Sequence, residues 1–251
     1  MRAVFERMRA PSLFKHSILL IPVVVCTALF ILQPELGRSP DLLTEYISNF
    51  VHYDLDRFLG NVLAYLIFSY LSFNLLVKLG QERLFWVSFA VFFILIPPTV
   101  TLVKLETIGF SGIVSALVGL YAFSVALNLY QKSKGCKFSF FFVFLLGVSV
   151  VAFTYGGYVI RILVSILTVI AFFYVFQNLK PKSSDIMILL LFLAPYLMAI
   201  VGLFPVSIVT DGGFINIWAH YAGIFLGYWI PLVLWYLFTR RPIKNLKMSL
   251  S

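Results

Sequence analysis

Eight apolar runs, each close to the roughly 20 residues a helix needs to cross a bilayer, follow one another along this chain with only short polar segments between them. They fall at about 14–33, 58–78, 84–103, 110–130, 139–156, 158–178, 185–205 and 215–239. In lipid the backbone finds no water, so its N–H and C=O groups must pair within helices or a closed barrel. Runs of this length are too long for barrel strands. The expected fold class is therefore all-α: a polytopic transmembrane helical bundle of about eight helices, forming a single membrane-embedded domain over 1–251. With 61% hydrophobic and 12% charged residues, the chain falls outside the range of soluble domains. No small-x-small cleavage pattern follows the first run, which reads as a retained span.

The net charge of +9 does not imply nucleic acid as a partner, because the cations stand in short clusters between the runs, where topology signals belong. Arg2, Arg7, Arg9, Lys15, Lys78, Arg83, Lys132, Lys134, Lys137, Lys180, Lys182, Arg240, Arg241, Lys244 and Lys247 fall on one side, 15 of the 19 basic residues. Glu35, Asp41, Glu45, Asp54, Asp56, Glu106 and Asp211 fall on the other. The positive-inside rule makes the basic side cytoplasmic, with both termini on it. Thr154-Tyr155-Gly156-Gly157 is a turn-like cluster that divides 139–178 into a hairpin of two crossings. Cys26 and Cys136 match no metal-ligand spacing, and neither a metal nor a cofactor is expected.

Three polar motifs share one membrane level. His52 to Asn61 opens the second run, Gly109-Phe110-Ser111-Gly112 opens the fourth, and Ala219-His220-Tyr221-Ala222-Gly223 lies near the start of the eighth. At 1.5 Å per helical residue, the steps from Glu106 to Ser111 and from Asp211 to His220 put both residues about 10 Å below the outer interface. Ser111 alone reads as small-residue packing or a hydroxyl bonded to its own backbone. His220 alone reads equally as a buried hydrogen-bonded ring or as an acid–base group. Ala219, Gly223 and Gly227 form a small-xxx-small stripe, and Gly109 and Gly112 give the serine helix the same property, so the two backbones can approach closely. A serine needs a base to take its proton, and histidine titrates near neutrality.

Taken together and in this order, the motifs resemble those of the rhomboid family of intramembrane serine proteases. The matching stretches are the histidine-to-asparagine segment His52 to Asn61, the Gly-x-Ser-Gly of Gly109 to Gly112, and the Ala-His-x-x-Gly-x-x-x-Gly of Ala219 to Gly227. The resemblance implies a rhomboid-like core over about 50–230, with an extra helical hairpin within 139–178. It implies an endopeptidase that cleaves transmembrane segments of membrane-protein substrates near the outer face, without cofactor. Ser111 would be the nucleophile and His220 the general base and then acid. The Ser111 backbone and Asn61 would stabilise the oxyanion, while Gly109, Gly112, Gly223 and Gly227 pack the site. The implied partners are such substrates and the lipid bilayer. No carboxylate is close in sequence, in keeping with a dyad.

The chain departs from that pattern in three places. Arg57 stands where the family commonly has a second oxyanion histidine; it can serve the oxyanion, snorkel, or pair with Asp54 or Asp56. Ser115 stands where many relatives place an aromatic against the catalytic histidine, a role open to Tyr221 or Tyr121. Three helices, not one, separate the serine and histidine helices, which preserves the parity of crossing. Arg57 and Ser115 support an alternative: a catalytically inactive rhomboid-like protein that binds membrane-protein clients. A solute transporter fits less well, since the polar motifs gather at one end and no internal repeat is visible. Pro97-Pro98 are expected to end or kink the third span, Pro195 and Pro231 to kink later ones, and Arg161 to snorkel. The pattern Leu42, Leu43, Ile47, Phe50 marks an interfacial segment.

Overall fold

The structure, a computed structural model, describes residues 13–32, 42–52, 54–103, 109–179, 183–205, 209–210, 213–214 and 216–240. Glu35, Asp41, Glu106 and Asp211, and the cations Arg2, Arg7, Arg9, Lys180, Lys182, Arg241, Lys244 and Lys247, lie outside the described residues. The helices are α1 (Leu13–Ile18), α2 (Ile21–Leu32), α3 (Leu42–Ser48), α4 (Leu55–Lys78), α5 (Glu82–Val103), α6 (Ser111–Lys132), α7 (Phe138–Tyr155), α8 (Tyr158–Leu179), α9 (Ser183–Leu203) and α10 (Ile217–Arg240). Among the described residues, with α1 and α2 taken as one, eight helices are long and apolar enough to cross a membrane. The chain is an all-α, multi-pass membrane protein. A hairpin of two short strands, β1 (Val209–Thr210) and β2 (Gly213–Phe214), lies between α9 and α10.

Helix α6 is the axis of the bundle. Its side chains from Gly112 to Leu127 are buried on every face, which is what a helix apolar all round requires. It packs most extensively on α10 and also on α4, α5, α7 and α9, while α5 joins α10 behind it. Helix α8 packs chiefly on α7 and leaves much of its apolar surface outward, as a lipid-facing helix does. Gly156 and Gly157 make the two-residue connection between them.

Tyrosine hydroxyls tie the helices together at backbone carbonyls. Tyr65 donates to Leu19 O (2.9 Å), Tyr121 to Phe192 O (2.8 Å) and Tyr228 to Phe140 O (2.6 Å). Each joins two spans while satisfying a buried O–H, which lipid could not do. Pro97 and Pro98 do not end α5: the helix runs through them to Val103. Membrane helices absorb proline because neighbouring groups resatisfy the freed backbone. Pro195 and Pro231 likewise lie inside α9 and α10.

Candidate active site

Helices α6 and α10 run in the same direction and touch backbone to backbone. A methyl group on Gly223 would meet Ser115 Cβ at 2.7 Å and Ala116 N at 3.2 Å; one on Gly227 would meet Ala116 Cα at 2.6 Å. This register places the first turn of α6, with Ser111 and Gly112, level with the first turn of α10, with Ala219 and His220. Ser111 is the first residue of α6, after the N-cap Phe110. The first bond of that helix runs from Val114 N–H to Phe110 O. The amides of Ser111, Gly112 and Ile113 therefore have no partner within the helix and form a donor cluster at its N-terminus.

A buried histidine organises the turn before Ser111. His52, 3% exposed, receives the Phe110 N–H at Nε2 (3.3 Å), and the Asn61 side-chain amide lies 2.9 Å from the same atom. A backbone N–H can only donate, so Nε2 accepts and the neutral ring carries its proton on Nδ1. Asn61 then gives one N–H to His52 and keeps the other. Gly109, at φ +113, turns the chain here, and its N–H reaches Ser48 O at 3.0 Å. A β-carbon would be strained in that backbone conformation. The motif residues His52, Asn61 and Gly109 thus form one support under the serine turn.

Burial holds the His52 imidazole below the ordinary histidine value of 6.5, with the Phe50 carbonyl acting weakly the other way. Nδ1 has no hydrogen bond of normal geometry. The folded state holds the neutral ring, so this contribution to stability is complete above pH 6.5 and is lost as pH falls through the depressed value. Melting temperature should drop below pH 6.5 in the wild type and less steeply in His52→Gln. Equal pH profiles for the two would remove this role. Substitution by alanine should cost about 1–3 kcal/mol, since Phe110 N–H loses its acceptor.

His220, 6% exposed, has Nδ1 2.7 Å from the carbonyl of Leu203, the last residue of α9. A carbonyl only accepts, so Nδ1 bears the proton and Nε2 carries the free lone pair of the neutral ring. That carbonyl occupies the orienting place that a carboxylate holds in a triad. Among the described residues, no hydrogen bond joins the Ser111 hydroxyl to His220. The aromatic against His220 is Phe204, edge-on with centroids 6.1 Å apart. Neither tyrosine takes that place: Tyr221 packs on Phe204 and Tyr121 on Phe68. Phe204 and Leu203 sit at the end of α9, and their contribution has no motif in the sequence.

Arg57 approaches Asp54, Nε to Oδ2 3.8 Å, on the first turn of α4. Ser115 donates its hydroxyl to Ser111 O (2.7 Å), back within its own helix. Arg161 donates from Nε to Gly156 O (2.9 Å), closing the end of α7. No cluster of three His, Cys, Asp or Glu side chains able to share a metal occurs among the described residues.

The fold defines a multi-pass helical membrane protein. Over 63 residues, 25% of this chain and 69% of its relative, it is 35% identical to an uncharacterized protein of Archaeoglobus fulgidus, and over that stretch it belongs to the same family. No family model matches the chain. No solved structure matches it.

Proposed function

We propose that this protein is a rhomboid-like intramembrane serine endopeptidase whose substrates are transmembrane segments of other membrane proteins. The observation that supports the reading is the backbone contact of α6 and α10, whose register has the first turns carrying Ser111 and His220 at one level. Ser111 Oγ attacks the scissile carbonyl carbon as its proton passes to His220 Nε2. The oxyanion takes hydrogen bonds from the first-turn amides of α6 and from the remaining Asn61 N–H. His220 then gives the proton to the departing amine as the C–N bond breaks, and water releases the acyl group by the same path. The Leu203 carbonyl stabilises the imidazolium formed at each step. In this reading the basic end of the bundle and both termini face the cytoplasm, and the site opens toward the opposite face.

A fluorophosphonate probe should label the purified wild type and not Ser111→Ala. Absence of labelling in both, or equal labelling, would remove the protease reading.

A second reading is a catalytically silent protein that binds membrane-protein clients. Two observations favour it: Arg57 is drawn toward Asp54, and Ser111 lacks a hydrogen bond to His220. Catalytic hydrogen bonds often tighten only with substrate bound, so the second observation weighs less. If the wild type is inert and Arg57→His gains cleavage, the silent reading holds. Activity in the wild type, reduced no more than about threefold in Arg57→Gln, excludes it.

A further inference from the structure

A cleft of about 500 Å³ opens on the outer surface of the bundle, at the end opposite Ser111. Helices α7 and α10 form its walls, and Tyr130 of α6 completes the lining. Phe140, Phe144, Trp229 and Val233 line it along the two helices, and Lys137 and Thr239 line it at the helix ends away from Ser111. Lys137 and Phe144 are about two helical turns apart, so the cleft reaches roughly 10 Å from those ends toward the bilayer centre, within the half-thickness of the hydrocarbon layer. Its volume is that of a small-molecule site.

One end of the cleft is cationic. Lys137 lines it, Lys132 ends α6 and Lys134 lies in the turn between α6 and α7, and no carboxylate lines the cleft or that turn among the described residues. The turn also holds a cation at a conformational cost. Helix α6 ends in a Schellman cap, with Gly135 N–H reaching Tyr130 O at 2.8 Å and Ser133 N–H reaching Leu129 O. The left-handed position of such a cap ordinarily takes glycine. Here it is Lys134, at φ 53, with the glycine one place later. A side chain in that conformation is strained, and this one carries a charge three residues before Lys137.

From the apolar cleft, the lysines at its end and the missing carboxylates we infer that this is a binding site for an anionic phospholipid. One acyl chain lies among Phe140, Phe144 and Trp229. The phosphate-bearing headgroup meets Lys137 and Lys134, with the Tyr130 hydroxyl as a further donor. A zwitterionic lipid offers the same chain but no net charge for the lysines to attract. The site lies outside the machinery of the proposed peptidase and stands whether or not that reading holds.

Two of the tryptophans, Trp229 and Trp235, line the cleft and give an optical readout. The full-length protein is reconstituted in phosphatidylcholine bilayers, and brominated-chain phosphatidylglycerol or brominated-chain phosphatidylcholine is added in steps. Phosphatidylglycerol should quench at several-fold lower mole fraction, and the preference should shrink by about fivefold for each lysine neutralised in Lys134→Gln and Lys137→Gln. The preferential component should disappear in Trp229→Phe with Trp235→Phe. Free inorganic phosphate should leave the quenching unchanged; if it abolishes the preference, the site is for phosphate and not lipid. Equal quenching by the two lipids in the wild type, or an undiminished preference in the double lysine variant, overturns the assignment. Resistance of both tryptophans to either lipid overturns it too, by showing the cleft filled by protein.

Discussion

Gly227→Ala will destabilise the protein by about 1–3 kcal/mol, although it adds one methyl group to a helix that favours alanine. The added carbon would lie 2.6 Å from Ala116 Cα and 2.7 Å from Ala116 C. Both are backbone atoms of the central helix, so no rotamer change relieves the overlap and α6 must move away from α10. The contact also sets the level of Ser111 and His220, so the proposed activity should fall further than stability alone explains. Gly60→Ala is the matched control: nothing lies within 4 Å of its added carbon, and the helix propensity gain of about 0.5–1 kcal/mol should appear as a slight stabilisation. Denaturation in bicelles measures both. A neutral Gly227→Ala would mean that the helices are not in contact as described.

If the protein is the proposed peptidase, His220→Ala will lower turnover of a transmembrane substrate by about 10⁴-fold or more and abolish fluorophosphonate labelling at neutral pH. No other histidine stands ready to take over, since His52 Nε2 is occupied by Phe110 and Asn61. Loss of the bond to Leu203 O should cost about 1–3 kcal/mol of stability, too little to account for the expected loss of the proposed activity. Asn61→Ala gives a graded counterpart. Removing one oxyanion donor costs about 10²–10³-fold in kcat, with labelling of Ser111 slowed but still present. Labelling that survives His220→Ala at the wild-type rate would leave Ser111 without its proposed base. Equal losses in kcat and stability would reduce both residues to structural roles.

The helices were legible because lipid removes alternatives. The apolar run at 185–205, the seventh span, cannot leave its backbone groups unbonded, so length and hydropathy nearly fix its structure. The described spans follow the sequence reading to within a few residues at most ends. Gly109 to Gly112 was expected to open the fourth span, and Ser111 is the first residue of α6, after an N-cap that is not a capping side chain. Pro97 and Pro98 were expected to end or kink the third span and do not end it, because the rule that proline ends a helix is weaker where neighbouring groups can serve the freed carbonyls. Phe204 and the Leu203 carbonyl were invisible for a different reason: they lie 16 and 17 positions before His220 and reach it only because α9 ends beside α10. His52 was visible as part of a motif, but its bond to Phe110 N spans 58 positions.

The sequence by itself determined the class of fold, the number of spans and the residues with chemistry to offer, because each rests on a local property: apolar length, charge clustering, or the identity of a rare polar side chain in lipid. Tertiary structure alone decided which of those residues meet. Backbone contact between Gly227 and Ala116 fixes the register of two helices far apart in the chain. The Leu203 carbonyl selects the tautomer of His220, and His52 binds Asn61 to the turn before Ser111. These are long-range contacts whose partners carry no signature of one another, so only the packed bundle brings the serine and the histidine to one level.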